Sequence, residues 1–307
     1  MSMRKRLLLP AALLRCAALA APAQATYRVG ISDQNPGIFT QPNFQALKIK
    51  RVRFIVPWDW YKHRGQNAQV VGYMAAARAA RADVLVHFSA RRGCFSNRGR
   101  YSRSKVCRAP SVKTYTSSFK RFRRAYPFVK TLGVWNEANH VSQPINRNPK
   151  RAAQYFLAAR KACSSCTLVA ADVLDISNMT SYLRGFLRNA KGKAKIFGLH
   201  NYQDVNRRST ADTRAMLATV GGQVWLTETG GILTFLPSFP RNATRQANRT
   251  KWMFQLANRY DTRQRGLRSN ITRVYTYDYT GVPPGARFDA GLTNPSGSKR
   301  KAYNTFK

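Results

Sequence analysis

Eight short apolar runs are spaced along the chain, separated by stretches of helical periodicity. The runs are Thr26–Ser32, Arg51–Val56, Asp83–Phe88, Thr131–Glu137, Thr167–Asp172, Ile196–Asn201, Gln223–Glu228 and Arg273–Tyr277. Each is bounded by turn-prone residues, the pattern of a strand buried on both faces. The clearest helix is predicted over residues 112–126. Val112, Tyr115, Phe119, Phe122 and Tyr126 recur three and four apart, with Lys and Arg opposite, and this places one apolar stripe against a core. Pro127 stops it. Further helices are predicted over 44–47, 70–82, 150–162, 179–190, 210–220 and 244–260.

Alternation of buried strands with helices demands a parallel sheet covered by helices. Eight such units in a chain of 307 residues predict one α/β domain, a closed (β/α)8 TIM barrel. An open nucleotide-binding sheet would carry a Gly-rich fingerprint after its first strand, and none is present. Neither a repeat nor a composition break marks a second domain.

The first 25 residues read as a signal peptide, leaving 26–307 as the catalytic domain. Met1–Arg6 is basic, Leu7–Leu19 is mostly apolar, and Ala23-Gln24-Ala25 is a small-residue cleavage site. The protein is therefore expected to be secreted or extracytoplasmic. No later stretch is long enough to span a bilayer, so no membrane association is expected after cleavage. Cleavage also removes Cys16 and leaves Cys94, Cys107, Cys163 and Cys166. Four cysteines in an exported chain suggest two disulfides. Of the three possible pairings we adopt Cys94–Cys107 and Cys163–Cys166. A redox-active Cys163-Ser-Ser-Cys166 is the alternative, but such motifs open a helix, whereas this one follows a helix and precedes a strand.

The formal net charge is +41, so the surface attracts anions. The basic residues are spread through every segment and form no nucleic-acid motif, which argues against a specific nucleic-acid partner. One acid-free group, Arg91, Arg92, Arg98, Arg100, Arg103, Lys105 and Arg108, lies in the loop after the third strand. It is either a steering surface for an anionic glycan or cell wall, or a solvated loop sharing the general Arg bias.

Against 53 basic residues stand 12 acidic ones, and only two of these are glutamates, Glu137 and Glu228. Each ends an apolar run, the fourth and the seventh. Active sites of such barrels form where strands end, so both carboxylates face one mouth. Two carboxylates across a mouth suit glycoside hydrolysis, one protonating the leaving oxygen and the other attacking the sugar or activating water. The competing reading is structural, two carboxylates paired with nearby arginines. Other strand-end residues fit a sugar site: Asn136, His87, His200, and Tyr202, whose hydroxyl could hold Glu228. Arg53 could neutralise a carboxylate, and Trp58, Trp60, Tyr277 and Tyr279 are candidate platforms for sugar faces. Trp135 and Trp225 are expected to pack against helices. No motif implies a metal or cofactor. A monomer is expected.

These residues resemble a known family. Trp135-Asn136-Glu137-Ala138-Asn139 is similar to the strand-four Asn-Glu motif of the retaining clan A glycoside hydrolases. Leu226-Thr227-Glu228-Thr229-Gly230 is similar to that clan's strand-seven nucleophile motif. Within the clan the chain looks nearest to secreted, cellulase-like, family 5-like or family 39-like barrels of actinobacteria. The resemblance implies that Glu137 is the general acid/base and Glu228 the nucleophile. It further implies that Asn136 contacts the substrate 2-hydroxyl and Tyr202 positions Glu228. One departure stands out: the clan's Trp at the end of strand eight is replaced here by Tyr275-Thr276-Tyr277-Asp278-Tyr279. The carboxyl separation expected is about 5–5.5 Å for a retaining enzyme, against about 6.5–9.5 Å for an inverting one. The alternative function is a non-catalytic basic barrel that binds carbohydrate or an anionic cell wall.

Overall fold

A computed structural model describes residues 25–90 and 108–307. The predicted cleavage site, the Cys94–Cys107 pair and nearly all of the basic loop lie outside the described residues.

The strands are β1 (Arg28–Ser32), β2 (Arg51–Pro57), β3 (Asp83–Ser89), β4 (Thr131–Gly133), β5 (Thr167–Val169), β6 (Asp172–Leu174), β7 (Ile196–His200), β8 (Gly222–Thr229), β9 (Thr234–Phe235), β10 (Ser269–Tyr277) and β11 (Phe288–Asp289). All but β9 and β11 belong to one parallel sheet, in the order β5-β4-β3-β2-β1-β10-β8-β7-β6. β5 and β6 are two halves of the fifth barrel strand, interrupted at Ala170 and Ala171. The interruption is bridged to β7, because the Ala170 N–H donates to the Ile196 carbonyl (2.8 Å) and the Gly198 N–H to the Ala171 carbonyl (2.7 Å). The ring is thereby closed, and the (β/α)8 barrel expected from the alternating pattern is the fold.

The helices are α1 (Pro42–Ala46), α2 (Arg64–Ala79), α3 (Val112–Ala125), α4 (Pro149–Ala162), α5 (Met179–Asn189), α6 (Tyr202–Arg207), α7 (Ala211–Thr219), α8 (Ala243–Arg259) and α9 (Lys301–Phe306). The centre of the predicted α3 stripe, Tyr115, Phe119 and Phe122, is buried and its ends Val112 and Tyr126 partly so, with the Phe119 and Phe122 rings 5.7 and 5.5 Å from that of Phe88 on β3. The Ser111 hydroxyl caps the helix by accepting from the Thr114 N–H. A disulfide joins Cys163 to Cys166 between α4 and β5. The six-residue helices α6 and α9 and the strands β9 and β11 were not foreseen. α6 is one and a half turns long and too short for periodicity to register. β9 and β11 are two residues each and pair across a long sequence gap, Phe235 opposite Phe288 and Thr234 opposite Asp289.

The barrel interior has an apolar floor and a polar upper layer. Leu85, Val169, Trp225 and Tyr275 form the floor. This corrects the expectation for Trp225. It points into the barrel, with the Arg273 guanidinium 3.9 Å from its ring. Trp135 does pack outward, stacked 5.4 Å from Tyr155 of α4. Trp60 and Tyr279 are also corrected. Both are buried, Trp60 against Phe122 and Tyr126 and Tyr279 against Phe44, so neither is a platform at the mouth.

Two glycines make the polar layer possible. A Cβ on Gly133 would lie 1.8 Å from the His87 ring, and one on Gly198 would lie 1.9 Å from Asp172 Oδ1. The space beside these strands is filled by side chains from their neighbours. Gly198→Ala should therefore lower stability by at least ~3 kcal/mol, beyond the ~1–3 kcal/mol usual for overpacking. Gly72→Ala, in α2 with open space around it, should raise stability by up to ~1 kcal/mol. Urea denaturation of both variants checks the pair.

Candidate active site

Glu228 reaches the mouth through a break in the strand's alternation. Trp225 and Thr227 of β8 point into the barrel, so a regular strand would turn residue 228 outward. The β7–β8 register shifts by one residue: Leu199 pairs with Leu226, but His200 pairs with Glu228. This bulge re-aims the carboxylate to the site. Glu137 is turned by its backbone instead. After β4, the Asn136 N–H donates to the Phe88 carbonyl (2.7 Å), and Glu137 then adopts φ +47. A non-glycine residue in the left-handed region costs about 1 kcal/mol or more, and such residues cluster at functional sites. The side chain of Glu137 is 23% exposed and that of Glu228 only 6%, so the first fronts the cleft and the second lies at its base.

One carboxylate oxygen of each, together with a ring nitrogen of His200, lie within 4.8 Å of one another. Beneath them sits Arg53, fully buried. Its Nη1 donates to Glu228 Oε1 (2.6 Å) and to the Ser32 hydroxyl (3.1 Å). Its Nη2 donates to Asn136 Oδ1 (2.5 Å) and Asp172 Oδ2 (3.0 Å), and its Nε to His87 Nδ1 (2.9 Å). His200 joins the two carboxylates from the other side. Nδ1 lies 3.3 Å from Glu137 Oε1 and 3.5 Å from Glu228 Oε2, and Nε2 lies 3.0 Å from Asp172 Oδ2. The Tyr202 hydroxyl donates to Glu228 Oε2 (3.2 Å).

These contacts set the protonation states. Burial alone would lower His200, but Glu228, Asp172 and Glu137 around it push it up to about 10. Burial would likewise raise Asp172, yet His87, His200 and Arg53 hold it well below the usual carboxylate range. Glu137 follows the same logic more weakly. Burial raises it, and the His200 hydrogen bond and charge bring it below its ordinary value. His87, dominated by burial, is driven well below 6.5 and is neutral. The Glu137–His200–Glu228 cluster has the spacing of a metal site. However, both nitrogens of a charged His200 face carboxylates, and a ligating imidazole must give up its proton on the metal side.

The structure sorts the residues expected at the site into two groups. Asn136, Glu137, Tyr202, Glu228 and Tyr277 line one cleft of about 620 Å³. Arg53, His87 and His200, expected as substrate contacts, are fully buried; Arg53 and His200 contact the carboxylates from below, and His87 contacts Arg53. Trp58 is outside the cleft lining. It packs partly buried against the core, with Lys62 Nζ 5.6 Å from its ring. Asp172 was missed by sequence reasoning, although it was placed at the end of the fifth run. It is the common acceptor for Arg53 and His200, and it also accepts from the Thr227 hydroxyl. Asp175, also unforeseen, lines the cleft and is raised to about 8 by burial.

A closed (β/α)8 barrel with two carboxylates at its mouth defines a glycosidase-like class. Residues 107–280, which contain both glutamates, match the family described as the glycosyl hydrolase catalytic core. The chain belongs to that family and carries its catalytic domain. Solved structures agree on the fold. A family 5 subfamily 18 enzyme from Streptomyces cattleya, in complex with GlcNAc, is 14% identical with a TM-score of 0.61, over 92% of this chain and 79% of that one. An intracellular xylanase from Thermoanaerobacterium saccharolyticum, in complex with xylotriose, is 12% identical with a TM-score of 0.60, over 92% and 95%. A family 39 glycoside hydrolase from Bacteroides cellulosilyticus is 14% identical with a TM-score of 0.54. That match covers 90% of this chain but spans only 61% of the other's length. No curated protein sequence matches the chain.

The raised His200 makes a signed prediction. A group raised from 6.5 to about 10 in the folded state stabilises fully below pH 6.5, and this contribution is lost as pH rises through 10. Thermal unfolding midpoints should fall steadily between pH 7 and 10. In His200→Gln the protein should be less stable at pH 6, and that slope should largely disappear.

Proposed function

We propose that the protein hydrolyses O-glycosidic bonds by a retaining double displacement. The observation that carries this reading is that a Glu137 oxygen lies within 4.8 Å of a Glu228 oxygen. That approach supports the retaining arrangement, since inverting enzymes keep their carboxyl groups about 6.5–9.5 Å apart. Glu228, gripped by Arg53 and Tyr202 at the base of the cleft, is aimed at one position and serves as nucleophile. Glu137, more exposed, serves as general acid/base. In the first step a Glu228 oxygen bonds to the anomeric carbon and the bond to the leaving oxygen breaks. Glu137 supplies the proton that the leaving oxygen takes up.

At rest Glu137 is held low by His200, so the proton of the pair sits on the imidazole, 3.3 Å away. Glu137 and His200 share it as a coupled unit. In the second step Glu137 takes a proton from water, the water oxygen bonds to the anomeric carbon, and the Glu228 ester is broken. Asn136 lines the cleft with its Oδ1 tied to Arg53, which leaves the amide nitrogen as donor to a substrate hydroxyl next to the reacting carbon. Tyr277 lines the cleft where the clan's strand-eight Trp would stand, and serves as the sugar platform.

The test is chemical rescue. Glu228→Ala should lose at least ~10³-fold in kcat on aryl glycosides, and azide should restore turnover with formation of a glycosyl azide of inverted configuration. A Glu228→Ala,Glu137→Ala protein that retains turnover would remove these residues from the mechanism, whereas a wild-type protein that binds carbohydrate without turning over any glycoside would favour a non-catalytic basic barrel.

Export is part of the same reading, supported by the basic, apolar and A-x-A segments at the N-terminus. When the full chain is expressed in a secreting host, N-terminal sequencing of the extracytoplasmic protein should begin at Thr26. Retention of Met1 in an exported product would rule the cleavage out.

A further inference from the structure

The cleft that holds Glu137 and Glu228 runs on without a break to a wall built from the β9–β11 ribbon. Phe288 is the centre of that wall. Its ring lies 5.8 Å from Phe235, 5.8 Å from Tyr202 and 6.2 Å from Tyr277. The aromatic surface therefore starts at the tyrosine that holds Glu228 and extends outward. Phe239 and Ile232 line the cleft beyond it, and Leu236 beside them is 43% exposed. The ribbon is fixed in place. Phe235 and Phe239 exchange backbone hydrogen bonds of 2.8 and 2.6 Å. Asp289 of β11 accepts two hydrogen bonds from the Arg300 guanidinium, at 2.7 and 2.9 Å.

A wall of this kind is poorly matched to a second sugar. A sugar ring brings hydroxyls on its rim, and each must find a partner when water is removed. Phenyl and aliphatic side chains offer none. The rings of the wall meet at 75° and 82°, so they present edges and corners more than one flat face for a pyranose to stack on. A flexible hydrocarbon chain has neither requirement and gains by leaving water. At the outer end, Arg245 lies 5.2 Å over Phe239 and Arg287 lies 5.8 Å over Phe235. These cations suit the anionic headgroups among which a lipid substrate would sit.

We propose that this wall is the subsite for the hydrocarbon chain of a glycolipid. The protein then cleaves the bond between a sugar and an aglycone that carries such a chain. The inference rests on the glycosidase reading above. The chemistry is unchanged: the aglycone oxygen leaves with one proton as the lipid alcohol, and the water oxygen becomes the anomeric hydroxyl.

The experiment compares methyl and octyl glycosides of the same sugar, across glucose, mannose, galactose, xylose and N-acetylglucosamine, using the chain from Thr26. For any sugar that is turned over, kcat/KM for the octyl glycoside should exceed that for the methyl glycoside at least thirtyfold. That ratio is ~2 kcal/mol, which two or three buried methylenes supply. Phe235→Ala should cut the ratio at least fivefold. A ratio near one, or a ratio untouched by both Phe235→Ala and Phe288→Ala, overturns the proposal. If no glycoside is cleaved, the glycosidase reading itself has failed, and the wall is tested by binding. Calorimetry with octyl β-D-glucoside below its micelle concentration should show saturable binding that methyl β-D-glucoside lacks and that Phe235→Ala abolishes. Equal behaviour of the two glucosides in that assay overturns the wall.

Discussion

The guanidinium of Arg53 is the interaction on which the rest of the site depends. It is a charge with no access to solvent, and it is tolerated because its nitrogens meet Glu228, Asp172, Asn136, His87 and Ser32. Burying an ion without partners is prohibitive, and removing one member of a buried pair typically costs ~3–5 kcal/mol. Every strand that contributes a partner is therefore held in register by the same cation. Arg is also the residue that can do this, since a planar fork serves several acceptors at once where an ammonium cannot. The polar layer works as one electrostatic body. His200 is charged because three carboxylates surround it, and Asp172 is ionised because the charged His200 and Arg53 lie against it.

That body needs space inside a barrel whose interior is normally filled by branched aliphatic side chains. Gly133 and Gly198 provide it, by leaving the volume beside them to His87 and Asp172. The bulge in β8 then resolves a conflict of parity. The same strand must send Trp225 to the floor and Thr227 to Asp172, yet also deliver Glu228 to the mouth. An extra residue in the register lets all three be satisfied.

How much of this could be read from the chain depends on whether the signal was local. The eight strands were visible because a strand buried on both faces is a continuous apolar run. Glu137 and Glu228 were visible because they close two of those runs, and Tyr202 because it follows a third. Depth was not visible. Arg53, His87 and His200 sit near strand ends just as Asn136 does, and sequence position cannot separate a residue beneath the carboxylates from one facing the sugar. Asp172 was hidden by the interruption at Ala170 and Ala171, which places a carboxylate halfway along the fifth strand. A scarce acidic residue within an apolar run was the available clue. Trp225 was expected against a helix; it points inward together with Thr227, and the register shift that still brings Glu228 to the mouth has no local signature. The aromatic wall had no local signature, since Phe235 and Phe288 meet only through a ribbon of two-residue strands.

The clamp between Asp289 and Arg300 has a temporal side. Arg300 is synthesised after every other residue of the site, and it completes the support of β11 and hence of the wall around Phe288. A nascent chain that already holds both glutamates still lacks the surface that would seat a substrate beside them. The order of synthesis thus places the reactive pair in the chain well before the residue that fixes the β9–β11 wall beside it.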